Sequence, residues 1–334
     1  MKAPEDEAED VAASSPSPAS FPLAILRLLR LPNVFTAWAD VFLGYWLAQL
    51  HGAYGEPRTF VLLIAASSGI YWAGMVWNDV FDLEVDRRER PERPLPSGAV
   101  PLGVAQLMGA LLLAGGVVAA ALTGTIGAIV AIALGFMAVA YDAGLKRTPL
   151  GPLAMGLCRA LNILLGLSPA LATLLSRPPF QLPLVEISPT AALPVAADGP
   201  WFLIPVGALL YVAGITILSR GEAETSRRSA LSLGAAVLFS GFAVHGWVCF
   251  HKIGLDPGVW QIGAVLMMLL VFRTAHAIAS PTPRLVQRAV VTAILGIIAI
   301  DAILLLAFQT RTHALWTMAL WPVSMVLGRW LYST

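Results

Sequence analysis

Polar residues in this chain fall between long apolar blocks rather than among them. The blocks lie near 33–51, 59–77, 102–122, 124–141, 152–176, 201–218, 229–250, 258–278, 288–309 and 314–332. Each is close to the length of about 20 residues that a helix needs to cross a bilayer. They predict nine or ten transmembrane helices, the range being set by the last block and by the tight pair at 102–141, where "TGTIG" must make the turn. In lipid every backbone amide has to bond within its own segment, so the fold class is an all-α polytopic membrane protein. Segment 177–200 carries six prolines and reads as a long extended loop. Residues 1–20 are acidic, then Ala/Ser/Pro-rich. They predict a disordered tail without the charged-then-apolar order of a signal peptide. Residues 21–334 are then expected to form a single transmembrane domain.

Composition strengthens this picture. Of 334 residues, 57% are hydrophobic and 12% charged, against about 25% charged in soluble domains. Lipid is the solvent for most of the surface, and the bilayer is the first expected partner. A net charge of +1 gives no footing for nucleic acid. Two cysteines, Cys158 and Cys249, sit in apolar blocks and imply no disulfide framework. The basic residues are unevenly divided between alternate loops. One side holds Arg27, Arg30, Arg87 to Arg93, Lys146, Arg147, Arg220, Arg227, Arg228, Arg284 and Arg288. The other holds Arg58, Arg177, Lys252 and Arg311. The excess predicts that the first side is cytoplasmic. The polar stretches at 78–98, 141–151 and 219–228 all fall on it.

The densest polar stretch is "WNDVFDLEVDRRERPERPLPSG", residues 77–98, directly behind an apolar block. Asn78, Asp82 and Asp86 are spaced i, i+4, i+8, with Asp79 three residues before Asp82. On a helix continued past Trp77 these side chains share one face. Such a face repels itself unless a cation sits there, and hard oxygen ligands of this kind suit Mg2+. Mg2+ keeps waters and bridges carboxylates to phosphates, so the residues point to a Mg2+–diphosphate site at the mouth of a helical bundle. Arg87, Arg88, Arg90 and Arg93 would neutralise diphosphate oxygens or anionic head groups. A plain charged loop obeying the positive-inside pattern is the competing reading.

The stretch from Asn78 to Gly98 closely resembles the first aspartate-rich motif of the UbiA superfamily of intramembrane prenyltransferases, N-D-x-x-D-x-x-x-D followed by R-P-x-R-P. "LRLPNVFTAWADVFLGYWLA" at 29–48 resembles that family's first helix, and "YDAGLKRTPLGPLAMGLCRALNILLG" at 141–166 its fourth-to-fifth helix region. "MGLCRALNILLG" with "ILSRGE" looks most like the EboC-like branch. The similarity covers roughly residues 23–310. It implies a UbiA-like bundle around a central cavity, Mg2+ as cofactor, and an isoprenyl diphosphate with its head group at the cytoplasmic mouth. It also implies transfer of the isoprenyl group to an acceptor the sequence does not identify, aromatic in many relatives. The metal would be held by Asn78, Asp79, Asp82 and Asp86. Lys146, Arg147 and Arg93 would hold diphosphate, with Tyr141 and Asn33 near the substrate.

Arg159, about two turns inside the block 152–176, and Asn162 three residues on share a face. An intramembrane arginine usually faces a cavity or a partner, so both are expected to line the substrate cavity. A buried pair that fixes helix packing is the alternative, with Asp40 as a partner for Arg159. Asp301 is a lone membrane carboxylate with no partner legible in sequence. His245, His251 and His276 lack ligand spacing and read as satisfied helix-end residues.

The superfamily usually carries a second aspartate-rich motif after the sixth helix. Here that position reads "ITILSRGEAETSRR", without an aspartate. Glu222 is expected to stand in as a ligand for the second metal, and Arg220 to substitute for metal charge through bidentate contact with diphosphate. Two function classes follow. One is a Mg2+-dependent membrane prenyltransferase using Asp82, Asp86, Lys146, Arg220 and Glu222. The other is a non-catalytic isoprenoid-lipid binding or transport component that keeps only the first motif. A secondary transporter would show interrupted helices in matching halves, and none is evident.

Overall fold

A computed structural model describes residues 21–50, 55–176, 200–220, 227–254, 256–308 and 310–332. The tail expected at 1–20, nearly all of the loop expected at 177–200, and Glu222 lie outside these residues. Among the described residues there are helices and no strands. A short α1 (Phe21–Leu28) leads into α2 (Val34–Leu50), α3 (Pro57–Phe81) and a short α4 (Leu83–Glu89). Then come α5 (Leu102–Ala121), α6 (Thr125–Ala143), α7 (Gly151–Ser176) and α8 (Leu203–Ser219). The chain ends with α9 (Arg228–Ile253), α10 (Pro257–Ala279), α11 (Pro283–Ala307) and α12 (Arg311–Tyr332).

The apolar blocks therefore become α2, α3 and α5 to α12. Seven of these, α3, α5, α6, α7, α9, α10 and α11, are long and apolar enough to cross a membrane. α8 is apolar but only 17 residues long. α2 has the same length, and α12 carries Arg311, His313 and Pro322. The pair α5 and α6 turns at Gly124, whose φ of 135° lies where side-chain-bearing residues are rare. Prolines open α3, α10 and α11 at positions where a missing N–H costs nothing. Asp256 caps α10, its side chain accepting from the Val259 amide at 3.1 Å.

Small residues let the helices approach closely. A Cβ on Gly44 of α2 would run into backbone of α7, and one on Gly166 of α7 into backbone of α2. Such close contact is how helices associate where lipid removes the hydrophobic drive. The largest buried cluster joins α2, α7, α8, α9, α10 and α11, with Tyr211 fully buried and its hydroxyl donating to Ala293 O at 2.9 Å. A second cluster joins α2, α3, α5, α6 and α7. A third pins α1 and the 95–100 loop onto α3 and α5 through Leu28, Leu95 and Val100, which fixes the backbone around the polar stretch at 78–98. His251 and His276 bond the carbonyl four residues back, as helix-end residues do. His245 instead lies inside α9, buried, with Nε2 3.1 Å from Ile204 O. Its hydrogen bond is to a neighbouring helix rather than at a helix end, and Nδ1 is buried without a partner among the described residues.

Candidate functional site

α3 ends at Phe81, so the expected single helix through the polar stretch is interrupted. Asp82 links α3 to α4 with φ −93° and ψ 3°. That kink sorts the four motif side chains into two pairs. Asn78 and Asp82 meet on one cation: Lys146 Nζ donates to Asn78 Oδ1 at 3.0 Å and to Asp82 Oδ2 at 2.6 Å. Arg147 Nη2 reaches the other Asp82 oxygen at 3.3 Å. Asp79 and Asp86 meet on Arg93, whose Nη1 is 2.6 Å from Asp86 Oδ2 and 3.7 Å from Asp79 Oδ1. Asn78 Nδ2 joins the pairs by donating to Asp79 Oδ1 at 3.2 Å. Asp79 and Asp86 are buried at 4% and 3% exposure, whereas the Asp82 side chain is 22% exposed. The more accessible oxygen pair is thus that of Asn78 with Asp82.

Two contributors went unassigned in sequence. Arg30 donates from Nη2 to Asp79 Oδ1 at 2.7 Å. It sits in the left-handed region at φ 47°, among the described residues the one non-glycine with positive φ. That conformation costs roughly 1 kcal/mol or more for an L-residue and turns the chain from α1 into the 31–33 turn. Asn33, at the end of that turn, is exposed at the same end of the bundle. Asp142, one helical turn before Lys146, is buried with Oδ1 3.9 Å from Nζ. Tyr141 beside it, near the end of α6, is partly buried.

Lys146 and Arg147 belong to a 3-10 turn, Leu145–Arg147, between α6 and α7. Arg220, just past α8, clasps this turn: its Nη2 donates to Lys146 O at 3.1 Å and Thr148 O at 2.6 Å. It meets the polar cluster through the backbone that carries Lys146. Glu222 lies outside the described residues.

Arg159 and Asn162 sit elsewhere. Arg159 is eight residues into α7, about 12 Å at 1.5 Å per residue. Its Nη1 donates to Asp40 at 2.8 Å and its Nη2 to Thr36 at 2.6 Å. Asn162 donates to Ala37 O at 2.8 Å and Asp40 at 3.1 Å, and accepts from Ser67 at 2.8 Å. Asp301 of α11 lies beside Asp40 and Arg159, with Oδ2 buried and without a hydrogen-bond partner. These hydrogen bonds tie α2, α3 and α7 together, with α11 beside them. Asp301 is thus a neighbour of the Asp40–Arg159 pair.

The donor set accepts Mg2+ in a limited way. Among the described residues no three of the His, Cys, Asp and Glu side chains converge as a ready-made metal cage. An amide oxygen and a carboxylate oxygen do converge on the Lys146 cation, and hard oxygens from one or two residues are what Mg2+ asks of a protein. Two cavities are lined by other side chains. One, of about 580 Å³, is an apolar groove lined by Trp77, Phe81, Leu113 and Val139. The other, of about 30 Å³, lies around His245 and Cys249.

Residues 37–280 match the model of the UbiA prenyltransferase family. That is well over half of the chain. The chain belongs to the UbiA prenyltransferase family. With its seven apolar helices it is an integral multi-pass membrane protein. It is 33% identical over 142 residues to a digeranylgeranylglyceryl phosphate synthase of Metallosphaera sedula, covering 42% of this chain and 49% of that one. The chain thus spans about half the length of this curated relative. Two solved structures share the fold of this UbiA family member. One comes from work on digeranylgeranylglyceryl phosphate synthase in membranes, with TM-score 0.59, 18% identity, and 89% of this chain and 98% of that one covered. The other is a UbiA homologue from Archaeoglobus fulgidus bound to DMAPP and Mg2+, with TM-score 0.57, 14% identity, and coverage of 84% and 98%.

Proposed function

We propose that this protein is a Mg2+-dependent prenyltransferase that moves an isoprenyl group from its diphosphate to an acceptor. The observation that carries the reading is the convergence of Asn78 Oδ1 and Asp82 Oδ2 on one cationic point, at 3.0 and 2.6 Å, at the end of a membrane-embedded helix. Family membership and the Mg2+ and DMAPP held by a homologue of the same fold support it. When bound, the metal supplies positive charge for the departing diphosphate. Asn78 and Asp82 would be its ligands. Asp79 and Asp86 are held by Arg30 and Arg93 and shape the backbone around it. Lys146 and Arg147 would take diphosphate oxygens, Arg147 as a planar fork. Asn33 and Tyr141 would border the reacting end, and apolar helix faces would shield it from water. Arg159 and Asn162 serve helix packing in this reading. The excess of Lys and Arg at this end supports a cytoplasmic position for the site. "MGLCRALNILLG" and "ILSRGE" favour the EboC-like branch, and residues 21–334 act as one domain.

A second reading, a lipid binder without turnover, is favoured by Arg220. Its Nη2 is committed to backbone carbonyls rather than to the cluster. Purified protein in detergent with Mg2+, a panel of prenyl diphosphates and candidate acceptors tests both. The transferase reading predicts Mg2+-dependent pyrophosphate release that rises with the right acceptor. Saturable Mg2+-dependent prenyl diphosphate binding with no release would establish the binder instead.

A further inference from the structure

We propose that Lys146 is a movable counter-cation. It holds the Asn78–Asp82 ligand pair closed and moves to diphosphate when a divalent cation and a diphosphate enter together. The proposal rests on the transferase reading of this site.

Charge balance is the first argument. The cluster contains four carboxylates, Asp79, Asp82, Asp86 and Asp142, and four cationic side chains, Arg30, Arg93, Lys146 and Arg147, within ion-pair distance of them. By formal charge these eight side chains balance, so each carboxylate already has a counter-cation at hand. A divalent cation entering alone would place two positive charges beside Lys146 Nζ in a partly buried site, where Coulomb repulsion is poorly screened. A divalent cation with a diphosphate brings its own negative charge and gives Nζ somewhere to go.

Geometry is the second. Lys146 Nζ occupies the point on which both ligand oxygens converge, and its side chain is only 14% exposed. Nζ also has Asp142 Oδ1 at 3.9 Å, a partner on its own side of the cluster that a small rotation would engage. A flexible four-carbon stem permits that swing. The backbone beneath it is restrained, because Arg220 bonds the carbonyls of Lys146 and Thr148. Asp142 and Arg220 are thus positioning residues: one keeps Nζ near the site after release, the other keeps its turn in place.

Equilibrium dialysis of the full-length protein with radiolabelled Mn2+, with and without saturating pyrophosphate, tests this. In wild type, Mn2+ retained by the protein should show at least about tenfold tighter binding when pyrophosphate is present, as expected for a site whose acids are already countered and which resists a lone cation. In Lys146→Met, Mn2+ alone should bind about tenfold tighter than in wild type, because the ligand pair is vacated, while pyrophosphate should bind more weakly. Equal Mn2+ affinity with and without pyrophosphate in wild type overturns the proposal whatever the variant does. So does a folded Lys146→Met that binds Mn2+ alone no better than wild type. If wild type releases pyrophosphate from a prenyl diphosphate yet either of those results is found, the transferase reading stands and this inference alone fails. No retention of Mn2+ or pyrophosphate under any condition would remove both.

Discussion

The protein has two groups of acidic and basic side chains built from the same chemistry, and they are put to different uses. At the mouth, Asp82 is 22% exposed and faces Lys146 and Arg147 on a short turn between helices. Inside the bundle, Asp40 is 1% exposed and faces Arg159, Asn162 and Asp301 on two packed helices. At the mouth the partners are side chains on a turn, so charge can be exchanged for a ligand's. In the interior every partner comes from another helix, and separating any of them means separating helices. An acid–base pair in a membrane protein is therefore read by what carries its partner. A turn suits ligand exchange, and a packed helix suits assembly.

The interior pair gives the largest expected effect. Arg159→Met leaves Asp40 buried without its main counter-charge and should cost about 3 to 5 kcal/mol of stability. Thermal or denaturant unfolding in detergent measures it, and the molecules that stay folded should keep their ability to bind Mg2+ and diphosphate. Next comes the mouth. Asp82→Asn should lower pyrophosphate release by about a hundredfold or more, on the scale of losing a group that stabilises developing charge, with an unchanged thermal midpoint. Arg220→Ala should lower release by roughly fivefold through loss of bonds that hold the Lys146 turn. Steady-state kinetics should show the loss while unfolding is unaffected. The smallest effect belongs to the exposed Arg87–Glu84 pair, with side chains 54% and 75% exposed. Arg87→Ala should change stability and activity by no more than experimental scatter, because such pairs contribute little.

Much of this contrast was legible in the order of residues. Spanning length and Lys/Arg asymmetry gave the helices and their grouping, and the turn forced at "TGTIG" is the Gly124 turn. Spacing marked Asn78, Asp79, Asp82 and Asp86 as one group. It did not reveal the kink at Asp82 that divides them into two pairs, because a helical repeat assumes a continuous helix. Pairing across the chain was hidden as well. Arg30 and Asp79 are 49 residues apart, and Arg30 looks like one more basic residue on the positive side. Asp142 reads as part of a turn until Lys146 is seen to share it. Arg159 was legible as needing a partner, since an unpaired arginine in lipid is costly. Which of cavity or helix would satisfy it depended on the approach of α2 and α7, set by small residues such as Gly44 and Gly166.

The central claim is that the mouth acids bind ligand while the interior acids bind helices. The most direct test is the thermal midpoint of Asp82→Asn measured with and without Mg2+ plus pyrophosphate, beside wild type and Arg159→Met. Ligand that binds only the folded state raises the midpoint. The account predicts a normal midpoint and no ligand-induced rise for Asp82→Asn, against a low midpoint with the rise intact for Arg159→Met. An undiminished rise in Asp82→Asn would contradict it.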